Sequence, residues 1–198
     1  MADLIVEKNY LVFDADDMGA THVISDTCQS HDCRDILGEL KEFNPNFKAT
    51  LFTIPGEATL EMLQWAFMNK DWIELAWHGF YHHSNYECEK MSYKEFDSKM
   101  KGFMELFGLF FVKGFKAPGW QISEPIYYWL RDNGFWVADQ PGNKARRPDG
   151  LRVYEVGENS VHTHTWNCVG NGVYELRDEL IKKVTKNKDW KFVSEVVS

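Results

Sequence analysis

Three carboxylates, Asp14, Asp16 and Asp17, follow the apolar run Tyr10-Leu11-Val12-Phe13, and two histidines four apart, His78 and His82, follow the run from Trp72 to Trp77. Carboxylate oxygens and imidazole nitrogens are ordinary Zn²⁺ ligands. Two imidazoles and one carboxylate leave coordination positions open, which separates hydrolytic zinc from structural zinc. A separation of four places two rings on one helical face, and a loop containing Gly79 brings them together equally well. Burying several carboxylates together is costly without a cation, so the acidic cluster either meets a metal or stays in a solvated turn that caps the next helix. Strand side chains alternate, so Asp14 and Asp16 project together, and Asp17 joins them only if the chain turns, with Gly19 supplying the freedom. His83 is the alternative second ligand if the histidine turn is tighter. Glu87 and Glu89 are further candidates that nothing in the pattern positions.

The elements that must position these groups alternate along the chain. Tyr10–Phe13, Phe47–Ile54 and Trp72–Trp77 read as strands, the last with His78 at its C-terminal end; Val23–Leu40 and Leu60–Met68 read as the helices between them. Ser92 followed three residues later by Glu95 predicts a helix start running to about Leu106, and Phe110–Val112 opens a strand ending near Lys116. Ser123 with Pro125 opens another helix, which Asn133-Gly134 stops. Strands are expected at Phe135–Ala138, Leu151–Val156 and Ser160–His164, a helix at Tyr174–Val184, and a short last strand at Lys191–Val197. This recurrence predicts an α/β fold of parallel strands covered by helices, as a barrel or an open sheet. The stretch from Asp139 to Gly150, with Lys144, Arg146 and Arg147, is the one long irregular segment and is expected on the substrate side or as an ordinary solvated connection.

At 198 residues the chain suits one domain, residues 1–198, with a sizeable core. A formal charge of -8 disfavours binding to a nucleic acid backbone. No window is apolar enough for a membrane span, and the charged N-terminus offers no export signal, so a cytoplasmic, non-membrane protein is expected. Cys28, Cys33, Cys88 and Cys168 fit neither a disulfide framework nor a zinc knuckle and read as buried thiols, Cys28 and Cys33 sharing a helix. The dense stretch Phe103–Phe111 is expected to close a helix face; any exposed surplus would form a subunit interface and a homo-oligomer.

The sequence resembles the polysaccharide deacetylase superfamily, the NodB-like carbohydrate esterases. Phe13-Asp14-Ala15-Asp16-Asp17-Met18-Gly19, His78-Gly79-Phe80-Tyr81-His82, Lys116-Ala117-Pro118-Gly119-Trp120 and His162-Thr163-His164-Thr165-Trp166 stand in the family's order of motifs and span residues 13–166. The resemblance implies a single-domain, distorted, seven-stranded (β/α) barrel. It also implies a metal-dependent hydrolase that removes an N-acetyl group from a sugar or sugar-bearing metabolite, with one divalent ion, zinc by preference. Carried over residue by residue, it makes Asp16 the general base, Asp17, His78 and His82 the metal ligands, and His164 the general acid. Lys116, Trp120, His162 and Trp166 become substrate-side groups, and a backbone amide near Tyr81 or His82 becomes an oxyanion donor. The register with Asp14 as base and Asp16 as ligand is the alternative. Two departures stand out: Lys116 replaces an arginine that orients the base, and the acidic and tryptophan motif after the fifth strand is reduced to Asp139. The competing reading is a protein that keeps the fold, and perhaps the metal, as a carbohydrate-binding or structural component without turnover.

Overall fold

The computed structural model describes residues 10–19, 23–25, 28–29, 32–157, 159–166, 172–187 and 189–197. The first strand, β1 (Leu11–Met18), is longer than its apolar run predicts and carries all three aspartates inside it. After it come the short hairpin strands β2 (Val23–Ser25) and β3 (Cys28–Gln29), then α1 (Arg34–Phe43), β4 (Ala49–Thr53), α2 (Leu60–Met68) and β5 (Ile73–His78). The second half runs α3 (Tyr93–Phe107), β6 (Phe111–Lys116), α4 (Glu124–Asp132), β7 (Trp136–Asp139), β8 (Arg152–Glu155), β9 (Ser160–His164), α5 (Arg177–Lys186) and β10 (Trp190–Lys191).

Local chemistry explains most boundaries. Thr59 and Ser92 accept the amides of Met62 and Glu95 at the starts of α2 and α3, and Pro125 sits in the first turn of α4. Two expectations are corrected. Residues 23–40 do not make one helix: the polar run between Ile24 and Arg34 has no apolar period to bury, so a small antiparallel hairpin precedes α1, and Cys33 is the residue before that helix. The last expected strand stops at Lys191, because side chains take up the next amides. Glu195 accepts the Phe192 amide at 2.7 Å, and Thr50 accepts that of Val193 at 3.0 Å, leaving a 3-10 turn over Val193–Glu195. Cys33 and Cys88 are buried free thiols, and burial pushes both thiols up; Cys168 lies outside the described residues.

Seven strands run in the order β10-β1-β4-β5-β6-β7-β8, every pairing parallel, and β9 pairs with β1 as well, giving the expected distorted (β/α) half-barrel. Alternation sorts the side chains onto two faces. Phe13, Leu51, Leu75, Phe115 and Val137 pack outward among residues of the helices, including Leu37, Leu63, Phe96 and Leu130. Val12, Phe52, Ala76, Trp136 and Ala138 form a second cluster on the barrel interior. Gly114 is required there, because a Cβ at that position would lie 2.0 Å from the Trp136 ring. Asp14, Asp16, Glu74, His78 and Lys116 fall on the same alternate positions as the interior cluster, so the barrel's inner face is the one that carries charge. No helix among the described residues is long and apolar enough to cross a membrane. Of the Phe103–Phe111 stretch, Phe103, Phe107 and Phe110 pack on the core while Leu106 and Leu109 are exposed.

Candidate metal centre

His78 ends β5, Lys116 ends β6, Asp139 ends β7 and His164 ends β9, so the polar groups gather at the C-terminal ends of parallel strands, where barrel folds place reactive groups. The strand registers bring partners side by side. His78 lies opposite Lys116, Asp14 opposite His162, and Asp16 opposite His164.

Asp17 escapes that alternation. The pairing of β1 with β4 shifts between Ala15 and Met18, and Asp17 has φ 64°, which brings its carboxylate into the cleft that Asp16 also lines instead of leaving it on the opposite face. The turn expected at Gly19 is thus made by Asp17 itself. Asp17 Oδ1 lies 3.1 Å from His78 Nε2 and 3.3 Å from His82 Nε2. Asp17, His78 and His82 form a buried triad of metal-ligating groups; Asp14 takes no part in it. His83 stacks on Tyr81 instead, with ring centroids 5.4 Å apart.

The triad fits a divalent ion on its own chemistry. His78 Nδ1 lies 3.0 Å from the carbonyl oxygen of Lys116, so in the neutral ring Nδ1 carries the proton and Nε2 presents a lone pair. That lone pair faces Asp17 Oδ1, a buried oxygen with no hydrogen-bond donor. A ring nitrogen and a carboxylate oxygen held this close call for a proton or a metal ion between them, and ligands at 2.0–2.1 Å in a tetrahedral shell lie roughly 3.3 Å apart, the spacing already present. Burial opposes charge on the His78 ring, but Asp16 and Asp17 outweigh it and raise its pKa. Burial likewise opposes charge on Asp17, and His78 with His82 holds that carboxyl below the usual carboxylate range.

Glu87 is the group that sequence patterning left without a place. Its carboxylate accepts the amides of Phe80 at 2.9 Å, Tyr81 at 3.0 Å and His82 at 3.4 Å, and so shapes the loop that delivers His82 with φ 52°. Gly79, at φ 61°, is needed beneath it, since a Cβ there would lie 2.3 Å from Glu87 Oε2. Tyr81 and His82 amides are therefore taken by Glu87, which corrects their expected use as oxyanion donors. Asp17, His82 and Trp120 are the non-glycine residues with positive φ among those described, and all three line one cleft of about 370 Å³. Strain of this kind collects where a site demands it.

His164, Trp120 and Trp166 line the same cleft with Asp16 and Asp17. Trp166 stacks on His164 with centroids 3.8 Å apart and donates its Nε1 to Asp17 Oδ2 at 2.7 Å. Lys116 and His162, expected on the substrate side, are not among the residues lining the cleft. Lys116 is 1% exposed, 2.7 Å from Asp16 Oδ1, and His162 Nδ1 is 2.6 Å from Asp14 Oδ1. Burial works against the Asp16 anion, yet Lys116 and three histidines keep its pKa lowered, while at His164 burial prevails over Asp16 and Asp17 and lowers the ring's pKa. Asp139 is turned to other partners than Lys116: it accepts from Tyr127 at 2.6 Å, Asn143 at 2.6 Å and Arg147 at 3.0 Å. These bonds tie down the segment expected as a substrate loop. It forms a 3-10 helix, Pro141–Arg146, that the cleft lining does not include. The signal for Asp14 was present in the sequence, since Asp-x-Asp on β1 and His-x-His on β9 share a period of two.

Comparison with solved structures places the parallel half-barrel among known folds. The fold is that of the polysaccharide deacetylase, or family 4 carbohydrate esterase, superfamily. An acetyl xylan esterase of this family from Clostridium thermocellum, solved with a cobalt ion, matches with a TM-score of 0.61 at 13% identity, over 94% of this chain and 89% of that one. The chitin deacetylase of Colletotrichum lindemuthianum matches with a TM-score of 0.61 at 14% identity, over 96% and 88%. A family 4 pseudoenzyme from Bacillus anthracis matches with a TM-score of 0.59 at 16% identity, over 96% of this chain and 66% of that one. Neither a family sequence model nor a curated protein sequence matches the chain.

Proposed function

We propose that the chain is a metal-dependent hydrolase that removes an N-acetyl group from a neutral amino sugar or a metabolite bearing one, with Zn²⁺ held by Asp17, His78 and His82. One observation carries the reading: a buried carboxylate oxygen without a donor faces two imidazole nitrogens on the wall of an open cleft, with a second carboxylate, Asp16, one residue away. A divalent ion in that place supplies Lewis acidity toward the acyl carbonyl and toward water.

The chain's own groups divide the remaining work. Asp16 is anionic, and with Oδ1 engaged by Lys116 it has Oδ2 left to accept a proton as general base. His164 Nε2, 4.0 Å from Asp16 Oδ2, is placed to pass a proton to the departing amine, and its lowered pKa makes the protonated ring a readier donor. Trp120 and Trp166 offer aromatic faces to a sugar ring. Among the described residues, no Lys or Arg lines the cleft. Such a surface favours a neutral sugar over a phosphorylated or nucleotide-linked one.

A second reading, sugar binding without turnover, draws on the same burial of His164, which leaves little of the ring charged at neutral pH. Amine release from N-acetylglucosamine oligomers by the zinc-loaded protein separates the two. Turnover that falls about 10²–10⁴-fold in Asp16→Asn, with the metal retained, supports the hydrolase. Metal retention and oligomer binding with no amine released supports the binding reading, and unchanged turnover in Asp16→Asn removes Asp16 as base.

A further inference from the structure

Asp16 has two oxygens with different neighbours. Oδ1 accepts from the Lys116 ammonium at 2.7 Å, whereas Oδ2 faces His162 Nε2 at 3.8 Å and His164 Nε2 at 4.0 Å. Asp16, His162 and His164 therefore repeat the composition of the first triad, one carboxylate and two imidazoles, with ligand atoms likewise within 4.8 Å of one another. The likeness extends to how a ring is aimed. His162 Nδ1 is tied to Asp14 Oδ1 at 2.6 Å, as His78 Nδ1 is tied to the Lys116 carbonyl, and a ring tied through one nitrogen presents the other to a metal. By ligand type alone this is a second metal site adjoining the first.

What sets the second cluster apart is a cation built into it. The Lys116 ammonium lies 2.7 Å from Asp16 Oδ1, 3.4 Å from Asp14 Oδ1 and 3.4 Å from His162 Nδ1. The rings of Trp120 and Phe52 lie 4.1 and 4.8 Å from it, so aromatic faces and carboxylates hold the charge in place. A divalent ion drawn to Asp16 Oδ2 would sit across one buried carboxylate from this fixed ammonium, and like charges at such range repel. We propose that Lys116 is the resident cation of this second cluster: clamped by Asp14 and by the Trp120 and Phe52 rings, it holds Asp16 as a hydrogen-bond acceptor and keeps it from becoming a metal ligand, so that the chain takes one divalent ion and not two. Asp14 is a positioning residue in this arrangement, acting on Asp16 through Lys116, and His162 in turn holds Asp14. The inference rests on the single-metal reading of the first triad only for the count against which a second ion is measured.

The test counts metal. Wild type, Lys116→Met and Lys116→Met/His162→Gln are equilibrated with zinc, freed of loose metal by gel filtration and analysed by elemental analysis, with circular dichroism as the check on folding. The expected counts are one, two and one ion per chain. Because removing Lys116 alone leaves two buried carboxylates uncompensated, Lys116→Met/Asp14→Asn is made alongside. It deletes one buried charge with the cation, keeps an oxygen for His162 Nδ1, and is expected to carry two ions. Wild type with two ions overturns the proposal, as do folded Lys116→Met and Lys116→Met/Asp14→Asn variants that carry no more than wild type. Wild type with none overturns the metal reading of the first triad, and a gain of one ion on losing Lys116 then still upholds the second cluster.

Discussion

Asp16 and Asp17 are neighbours on one strand, each meets two histidines, and yet their surroundings call for different things. Asp16 keeps the pleat's alternation, shares its face with Asp14 and has Lys116 at 2.7 Å. Asp17 leaves the pleat, and its Oδ1 has imidazole nitrogens at 3.1 and 3.3 Å but no hydrogen-bond donor. The difference lies in where the cation comes from. One cluster has it covalently attached to β6, and the other must take it from solution. A single out-of-pleat residue thus turns a run of like charges into two sites with separate chemistry.

The sharpest way to break this comparison is to remove one carboxylate charge at a time. Asp17→Asn takes a ligand from the centre with no built-in cation, so bound zinc measured by elemental analysis is expected to fall from one per chain to near zero, with turnover lost alongside it. Asp16→Asn is expected to keep its zinc. Should the two variants retain metal equally, the separation between the clusters fails.

A smaller effect is expected at the loop that carries His82. Glu87 receives three consecutive amides, whereas glutamine offers one oxygen and an NH₂ group that opposes those donors. Glu87→Gln is therefore expected to weaken zinc binding about 10–100-fold, the usual cost of losing a group that orients a ligand. Competition with a chelator measures it, and undiminished affinity would show that His82 is placed without Glu87.

How much of this was legible in the sequence follows from which forces are local. Ser92, Pro125 and Asn133-Gly134 act within a turn, and the helix limits they predict hold to within a residue or two. The strands at 47–54, 72–77 and 160–164 were equally legible, because buried apolar runs leave few other structures. What remained hidden depends on distant partners. Asp17 turns where β1 and β4 slip in register, and that slip is a property of two strands more than 30 positions apart. Glu87 is useful only because Gly79 at positive φ folds the loop back over it. Asp139, expected as a remnant of a motif near the base, instead accepts from Tyr127 of α4 and from Asn143 and Arg147, which the 3-10 helix after β7 folds back over it. The parity of Asp14 with His162 could be read from either strand alone, but not that the two strands lie side by side.

The least disruptive probe concerns the second oxygen of Asp17. Trp166 Nε1 donates to Asp17 Oδ2 at 2.7 Å while its ring lies on His164, so one side chain touches a ligand of the first centre and a member of the second cluster. Trp166→Phe removes the N–H and keeps an aromatic face for His164. Losing a donor to a carboxylate beside an open cleft, where water can replace it, costs about 1 kcal/mol, or roughly five-fold in zinc affinity. Trp166→Leu removes the ring face as well and is expected to lower turnover further at equal zinc saturation, because His164 then loses the surface that holds it near Asp16. If both variants lose zinc to the same extent and turn over alike once saturated, Trp166 serves only the metal centre, and the link it makes between the two clusters carries no function.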